Sequence, residues 1–216
     1  MAALVILGAS GHGKVVAEAA TLARKWSEIV FFDDAWPCLR VNGRWPVVGD
    51  TTALLADFPT GAGAVVAIGD NRIRLAKSEL LRAKGVDLVN IVHPAATVSD
   101  SVILAGGCVV LAGAVINIDS CLGLACIVNT GATVDHDGVL GAGVHVSPGA
   151  HLAGGVKVGA ESWVGIGAVV RELVVIGNRA VIAAGAVVID GVPDDVTVGG
   201  VPARIINAVR ESNEKI

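Results

Sequence analysis

The chain has 216 residues, 53% of them hydrophobic and 17% charged, with a formal net charge of −4. That balance excludes intrinsic disorder, which needs low hydrophobicity and high charge, and argues against broad nucleic-acid binding. Aromatics make up only 3% while glycine occurs 28 times, so the apolar content is small aliphatics suited to repetitive, closely packed backbone.

Residues 1–7 are apolar but carry no charged leading segment and run straight into Gly8. They read as a strand, not a signal peptide, and the expected compartment is the cytoplasm. Residues 4–7 predict a first buried strand and 14–25 a helix whose inner face is Val15, Val16, Ala19, Ala20 and Leu22. Strands are expected at 29–32, 64–68 and 88–91, a short helix at 51–56 and a longer one at 71–84. Strands alternating with helices imply a small Rossmann-like parallel sheet over residues 1–95.

The first strand–helix junction is Gly8-Ala9-Ser10-Gly11-His12-Gly13-Lys14. Backbone N–H groups at such a junction form a phosphate cradle with the helix N-terminus. It is not a P-loop, because Val15 stands where a hydroxyl is needed for magnesium, and its glycines fall in the wrong order for a dinucleotide fingerprint. Asp33 and Asp34 end the second strand, where an acid would meet ribose hydroxyls or base N–H groups, although an ordinary polar strand end would read the same. Gly69, Asp70 and Asn71 end the third at the same edge. A nucleotide crevice is therefore expected from Ser10, Gly11, His12, Gly13, Lys14, Asp33, Asp34, Gly69, Asp70 and Asn71. Lys14 either contacts a pyrophosphate or is a solvated first-turn lysine.

After a hinge at residues 93–96, an aliphatic residue recurs at every sixth position from Val98 to Val188. A small or β-branched residue follows four positions after each. A period of six is neither helical nor a strand alternation; it is the hexapeptide repeat of a parallel β-helix. The β-helix is expected over 96–198, ending near Pro193-Asp194-Asp195, with a tail at 199–216 and a short capping helix near 201–212. Cys108 and Cys126 stand three hexapeptides apart. A disulfide is geometrically conceivable, but both occupy the small-residue slot and are expected as packed thiols.

The repeat also singles out what it does not need. Asp135, His136 and Asp137 occupy turn positions. A carboxylate beside a histidine fixes its tautomer and makes it a better proton acceptor, although a solvated surface turn would look the same. His136 precedes His145 by one and a half hexapeptides, and His145 precedes His151 by a single one. Neither interval stacks ligands across coils, so no metal is expected.

Together these residues resemble the sugar-nucleotide acetyltransferases of the left-handed β-helix superfamily. That group includes N-acetyltransferases for nucleotide-linked 4-amino sugars and sialic-acid O-acetyltransferases. The carriers are residues 8–16, Asp33-Asp34, Ile68-Gly69-Asp70-Asn71, His93-Pro94, Asn129-Thr130, Asp135-His136-Asp137, residues 145–150 and Gly200-Val201-Pro202-Ala203. The resemblance implies a nucleotide-binding domain followed by a left-handed β-helix, a homotrimer with active sites between subunits, and acetyl-CoA as cosubstrate. It implies His136 as general base, Asp137 as its tuning acid and Asn129 as an orienting group. His145, Ile166 and Ala184 fall at acetyl-CoA positions. The implied substrate is a nucleotide-linked 4-amino-4,6-dideoxy sugar, GDP-perosamine first, within lipopolysaccharide O-antigen biosynthesis. A UDP-linked 4-amino sugar or O-acetylation of a sialic-acid-like sugar are the alternatives.

Overall fold

A computed structural model describes residues 2–206. The N-terminal part begins with β1 (Ala2–Leu7), α1 (Gly11–Leu22) and β2 (Trp26–Phe32). There follow β3 (Val41–Asn42), β4 (Trp45–Gly49), α2 (Thr51–Ala56), β5 (Gly63–Val66) and α3 (Asn71–Ala83). The sheet order is β3-β4-β2-β1-β5. Strands β4, β2, β1 and β5 run parallel, and β3 folds back on β4 as an antiparallel hairpin. The sequence patterning did not reveal the hairpin.

Two expected details are corrected. Helix α1 starts at Gly11, ahead of the expected Lys14, and turns Val16, Ala17, Ala19 and Ala20 inward while Val15 and Leu22 stay exposed. The expected strand at 88–91 divides: Leu88 bridges only Ala64, whereas Ile91–Val92 pairs with Val109–Val110. The first rung of the β-helix therefore precedes His93, whose own N–H already donates to Val110 O.

From there the chain winds as short strands joined by corners. Each strand pairs in parallel with the one three hexapeptides later, as Val115 with Thr133 and Val134 with Leu152. Three hexapeptides thus make one turn, and the strands stack into three faces of eight, six and five strands. The six-residue ladder faces inward: from Val110 to Val188 every one of its residues is buried. Only Val98 and Leu104, in the open first coil, are partly exposed. Each fully buried aliphatic contributes about 1.5–3 kcal/mol. Corners turn through left-handed backbone, with glycine at many and Asp119, Ala125, Asp137 and Glu161 at others. Cys108 and Cys126 are free thiols whose Sγ atoms donate to Gly123 O and Gly141 O.

The eight-stranded face carries the N-terminal part. Ile91, Val109, Leu111 and Ile127 share one core with Leu4, Ile6, Val16 and Ala20. At the far end, Thr197–Gly199 continues this face and Arg204–Ile205 pairs with it antiparallel. The expected capping helix is absent at 201–206, where a strand covers the edge instead; its remainder lies outside the described residues. No helix among the described residues is long and apolar enough to cross a membrane.

Candidate functional site

The glycine-rich junction is shaped by close approach. Gly8 has φ +109°, and a Cβ there would lie 2.8 Å from the Ile68 side chain and 2.9 Å from Ala67 O. A Cβ on Gly13 would strike Gly8 O. Gly11 faces open space, and the Ser10 side chain makes no cap to α1. The first amides of α1 are thus left without a side-chain cap, with open space beside Gly11. Lys14 points elsewhere: with Val15, Glu18, Arg44 and Trp45 it lines a shallow cleft of about 380 Å³ on the flank of α1.

The two acids that follow β2 have separate tasks. Asp33 accepts from Ala9 N at 2.6 Å and from Ala35 N at 2.9 Å, tying the turn after β1 to the turn after β2. Asp34 accepts from Thr51 N and from Lys77 Nζ, each at 2.9 Å, and its side chain remains 62% exposed. Its modest burial pushes the carboxyl up, but hydrogen bonds from Thr51 and Lys77 outweigh this and hold it at about 2. Asp70 caps α3 by accepting from Ile73 N. Asn71, expected at the substrate, is turned inward: its Nδ2 donates to Glu161 O and Ser162 O, and its Oδ1 accepts from Arg74. Its polar atoms are already committed to joining α3 to the β-helix.

Beside this crevice the eight-stranded face presents a buried polar cluster. His145 packs against Trp163 with ring centroids 4.3 Å apart and the planes tilted by 52°, and lies 6.4 Å from His12. Asn129 Oδ1 accepts from Thr130 N, which directs Asn129 Nδ2 at His145 Nε2, 3.1 Å away. His145 Nε2 therefore accepts and Nδ1 carries the proton. Burial first, and then the nearby Arg74 charge, pull His12 down to about 4 and His145 to about 3. His145 Nδ1, His12 Nε2 and Ser147 Oγ are buried with no partner among the described residues, as befits groups that meet water or a ligand. Ile166 and Ala184 are exposed and sit one full turn apart on the same vertex, which Thr130 also joins.

His136 lies elsewhere. Its corner joins the six- and five-stranded faces, the vertex opposite the face that carries the N-terminal part. His136 Nδ1 lies 2.7 Å from Asp137 Oδ2, and both side chains are more than half exposed. The hydrogen bond to Asp137 raises the imidazole pKa, and the charges of Asp135 and Asp137 add to this. Asp135 fixes the turn by accepting from His136 N and Asn117 Nδ2. Gly154, one coil further on, makes room for the ring, since any Cβ there would overlap it. One chain therefore gathers His12, Asn129 and His145 but leaves His136 and Asp137 on another vertex. Arg74, Trp163 and Gly154 were not anticipated. Among the described residues, no group of three or more His, Cys, Asp or Glu could hold a metal ion.

Comparison with known proteins places this geometry. Residues 3–81 match the PglD N-terminal domain. The acetyltransferase domain of PglB from Neisseria gonorrhoeae FA1090, solved with acetyl coenzyme A, is 46% identical with a TM-score of 0.90. That match covers 94% of this chain and 98% of the other. PerB from Caulobacter crescentus, solved with CoA and GDP-perosamine, is 42% identical with a TM-score of 0.90, covering 96% and 98% of the two chains. UDP-N-acetylbacillosamine N-acetyltransferase of Bacillus subtilis (strain 168) is 35% identical over 114 residues. That stretch is 50% of this chain and spans about half, 51%, of that curated relative.

Proposed function

The chain belongs to the left-handed β-helix family of acetyl-CoA-dependent sugar N-acetyltransferases, and from that premise we propose that it acetylates the 4-amino group of a nucleotide-linked 4-amino-4,6-dideoxy sugar. The observation that carries the chemistry is the His136–Asp137 pair, at 2.7 Å on an exposed corner cleared by Gly154.

The sugar amine attacks the thioester carbonyl carbon, forming the C–N bond and a tetrahedral oxyanion. Collapse breaks the C–S bond and releases CoA thiolate. His136 Nε2 takes the proton lost by the amine, while Asp137 holds Nδ1–H and stabilises the imidazolium. His145, neutral with its proton on Nδ1, has a buried donor free for the acyl oxygen. Acetyl-CoA lies along the vertex of Asn129, Ile166 and Ala184. The nucleotide sits at the α1 cradle, with phosphates toward Ser10–Gly13.

GDP-perosamine is the preferred substrate. Asp34 supports this: it is ionised and exposed, and beside the bonds from Thr51 and Lys77 each carboxylate oxygen keeps a second lone pair, so the two together can accept from guanine N1–H and N2–H, a two-point contact that uracil lacks. The enzyme works as a homotrimer, supported by His136 lying on the vertex away from its own crevice and by the exposed Ile103, Val139 and Val175 on the five-stranded face. The test is thiol release from acetyl-CoA with a panel of GDP- and UDP-linked 4-amino sugars and a sialic acid. Release with GDP-linked sugar is expected. Release with UDP-linked sugar alone rejects the nucleotide assignment, and release with the hydroxyl acceptor alone rejects N-acetylation.

A further inference from the structure

Helix α3 buries a charge that the acetyl-transfer chemistry does not use. Arg74 is fully buried. Its Nε donates to Ala125 O at 2.8 Å. Nη1 donates to Ile68 O at 2.9 Å and Gly69 O at 3.0 Å, and Nη2 to Asn71 Oδ1 at 2.8 Å and Gly143 O at 2.7 Å. Five acceptors thus match the five N–H donors of a guanidinium. All five are neutral, and among the described residues no ion pair includes Arg74.

The acceptors fall in two groups. Ile68 and Gly69 follow β5, at the edge of the nucleotide crevice. Ala125 and Gly143 stand one full turn apart at the corner joining the five- and eight-stranded faces. Glu161, one turn further along, accepts from Asn71, which Arg74 holds. All three corner residues have left-handed backbone, with φ 56°, 70° and 60°. Arg74 and Asn71 therefore grip three successive coils on one side and the crevice on the other. Gly143 closely precedes His145, and Ser162, also bonded to Asn71, precedes the Trp163 against which His145 packs.

Joining two surfaces does not require a buried cation, since well-packed apolar groups are often as stable. What the planar fork supplies is direction, because its donors fix several acceptors in one plane at set distances. We propose that Arg74 is a positioning residue for acetyl transfer, setting the reach between the crevice loop at 68–71 and the coil that carries His145. The proposal rests on the transferase reading above. The guanidinium also stands near His12 and His145, where its charge adds to burial in keeping both rings neutral.

The test compares Arg74→Met, Arg74→Lys and Asn71→Ala with the wild type. Amide exchange across residues 68–74 is read without substrate; melting temperature, kcat and both KM values are then measured. Faster exchange at 68–74 in all three folded variants is expected. With it, kcat should fall about tenfold or more, since small misplacements are costly, while KM for acetyl-CoA stays unchanged. Arg74→Lys, which keeps the charge but not the fork, should not rescue kcat. Wild-type exchange and kcat in Arg74→Met would overturn the proposal. So would rescue by lysine, a loss of kcat that only tracks the folded fraction, or failure of all three variants to fold. Absence of thiol release by the wild type with every sugar tested would instead reject the transferase reading, and the exchange data would still report on the clamp.

Discussion

The imidazole of His136 is held from one side only. Asp137 takes Nδ1, and Nε2 lies over Gly154 with no hydrogen bond to it among the described residues. If it is the base, His136→Asn lowers kcat by about 10²-fold or more, and near-normal turnover would remove it from that role. The pH dependence follows from the raised pKa of His136, whose first cause is the Asp137 hydrogen bond. A base works deprotonated, so its pKa sets the acidic limb of kcat/KM. Asp137→Asn should therefore move that limb to lower pH, and a fixed limb would contradict the pairing. His12 and His145 behave oppositely, being depressed to about 4 and about 3 by burial. Between those values and the ordinary 6.5 the unfolded chain binds more protons than the native one. Stability is thus full above pH 6.5 and is lost as pH falls toward 4 and then 3. The urea midpoint should drop from pH 7 to pH 5, and His12→Gln should flatten that drop.

At the scale of elements, each coil depends on its neighbours. Gly154 has no left-handed backbone requirement, so Gly154→Ala should leave the melting temperature nearly unchanged. Its Cβ would nevertheless displace the His136 ring, and turnover should fall about tenfold, as small misplacements of reacting groups are costly; unchanged kcat would show that the ring has room to spare. The coils were legible in the sequence because a buried ladder of period six must be aliphatic at every step. The β3–β4 hairpin was not, since Val41–Asn42 is too short to show a pattern and Pro46 interrupts its partner. Arg74 was hidden because a basic residue on a helix ordinarily reads as solvated. Its spacing from Asn71, Leu75, Ser78 and Leu81 places it on the buried face of α3, and that was the available signal. His136 and Asp137 were legible as exceptions to the ladder. The separation of His136 from the crevice was not, because it depends on which face of the coil the N-terminal part covers.

In the whole molecule, the proposed catalytic groups occupy two different vertices of a three-sided coil. Sedimentation should give a trimer, and a fully active monomer would refute the shared site. Mixed assemblies are more informative. A His136→Asn chain and an Asn129→Ala chain, each inactive alone, should regain part of the activity when assembled together, because some interfaces then pair intact groups. No recovery in verified mixed oligomers would place the whole site within one chain. The winding itself has a further consequence. One revolution takes three hexapeptides and advances about 4.8 Å, the spacing of neighbouring strands. Excising three hexapeptides therefore removes one storey and leaves every remaining column facing as before. Excising a single hexapeptide swings everything downstream by a third of a revolution. Length in such a chain can change by whole storeys, and the storeys held by α3, at Ala125, Gly143 and Glu161, are the ones that cannot be spared.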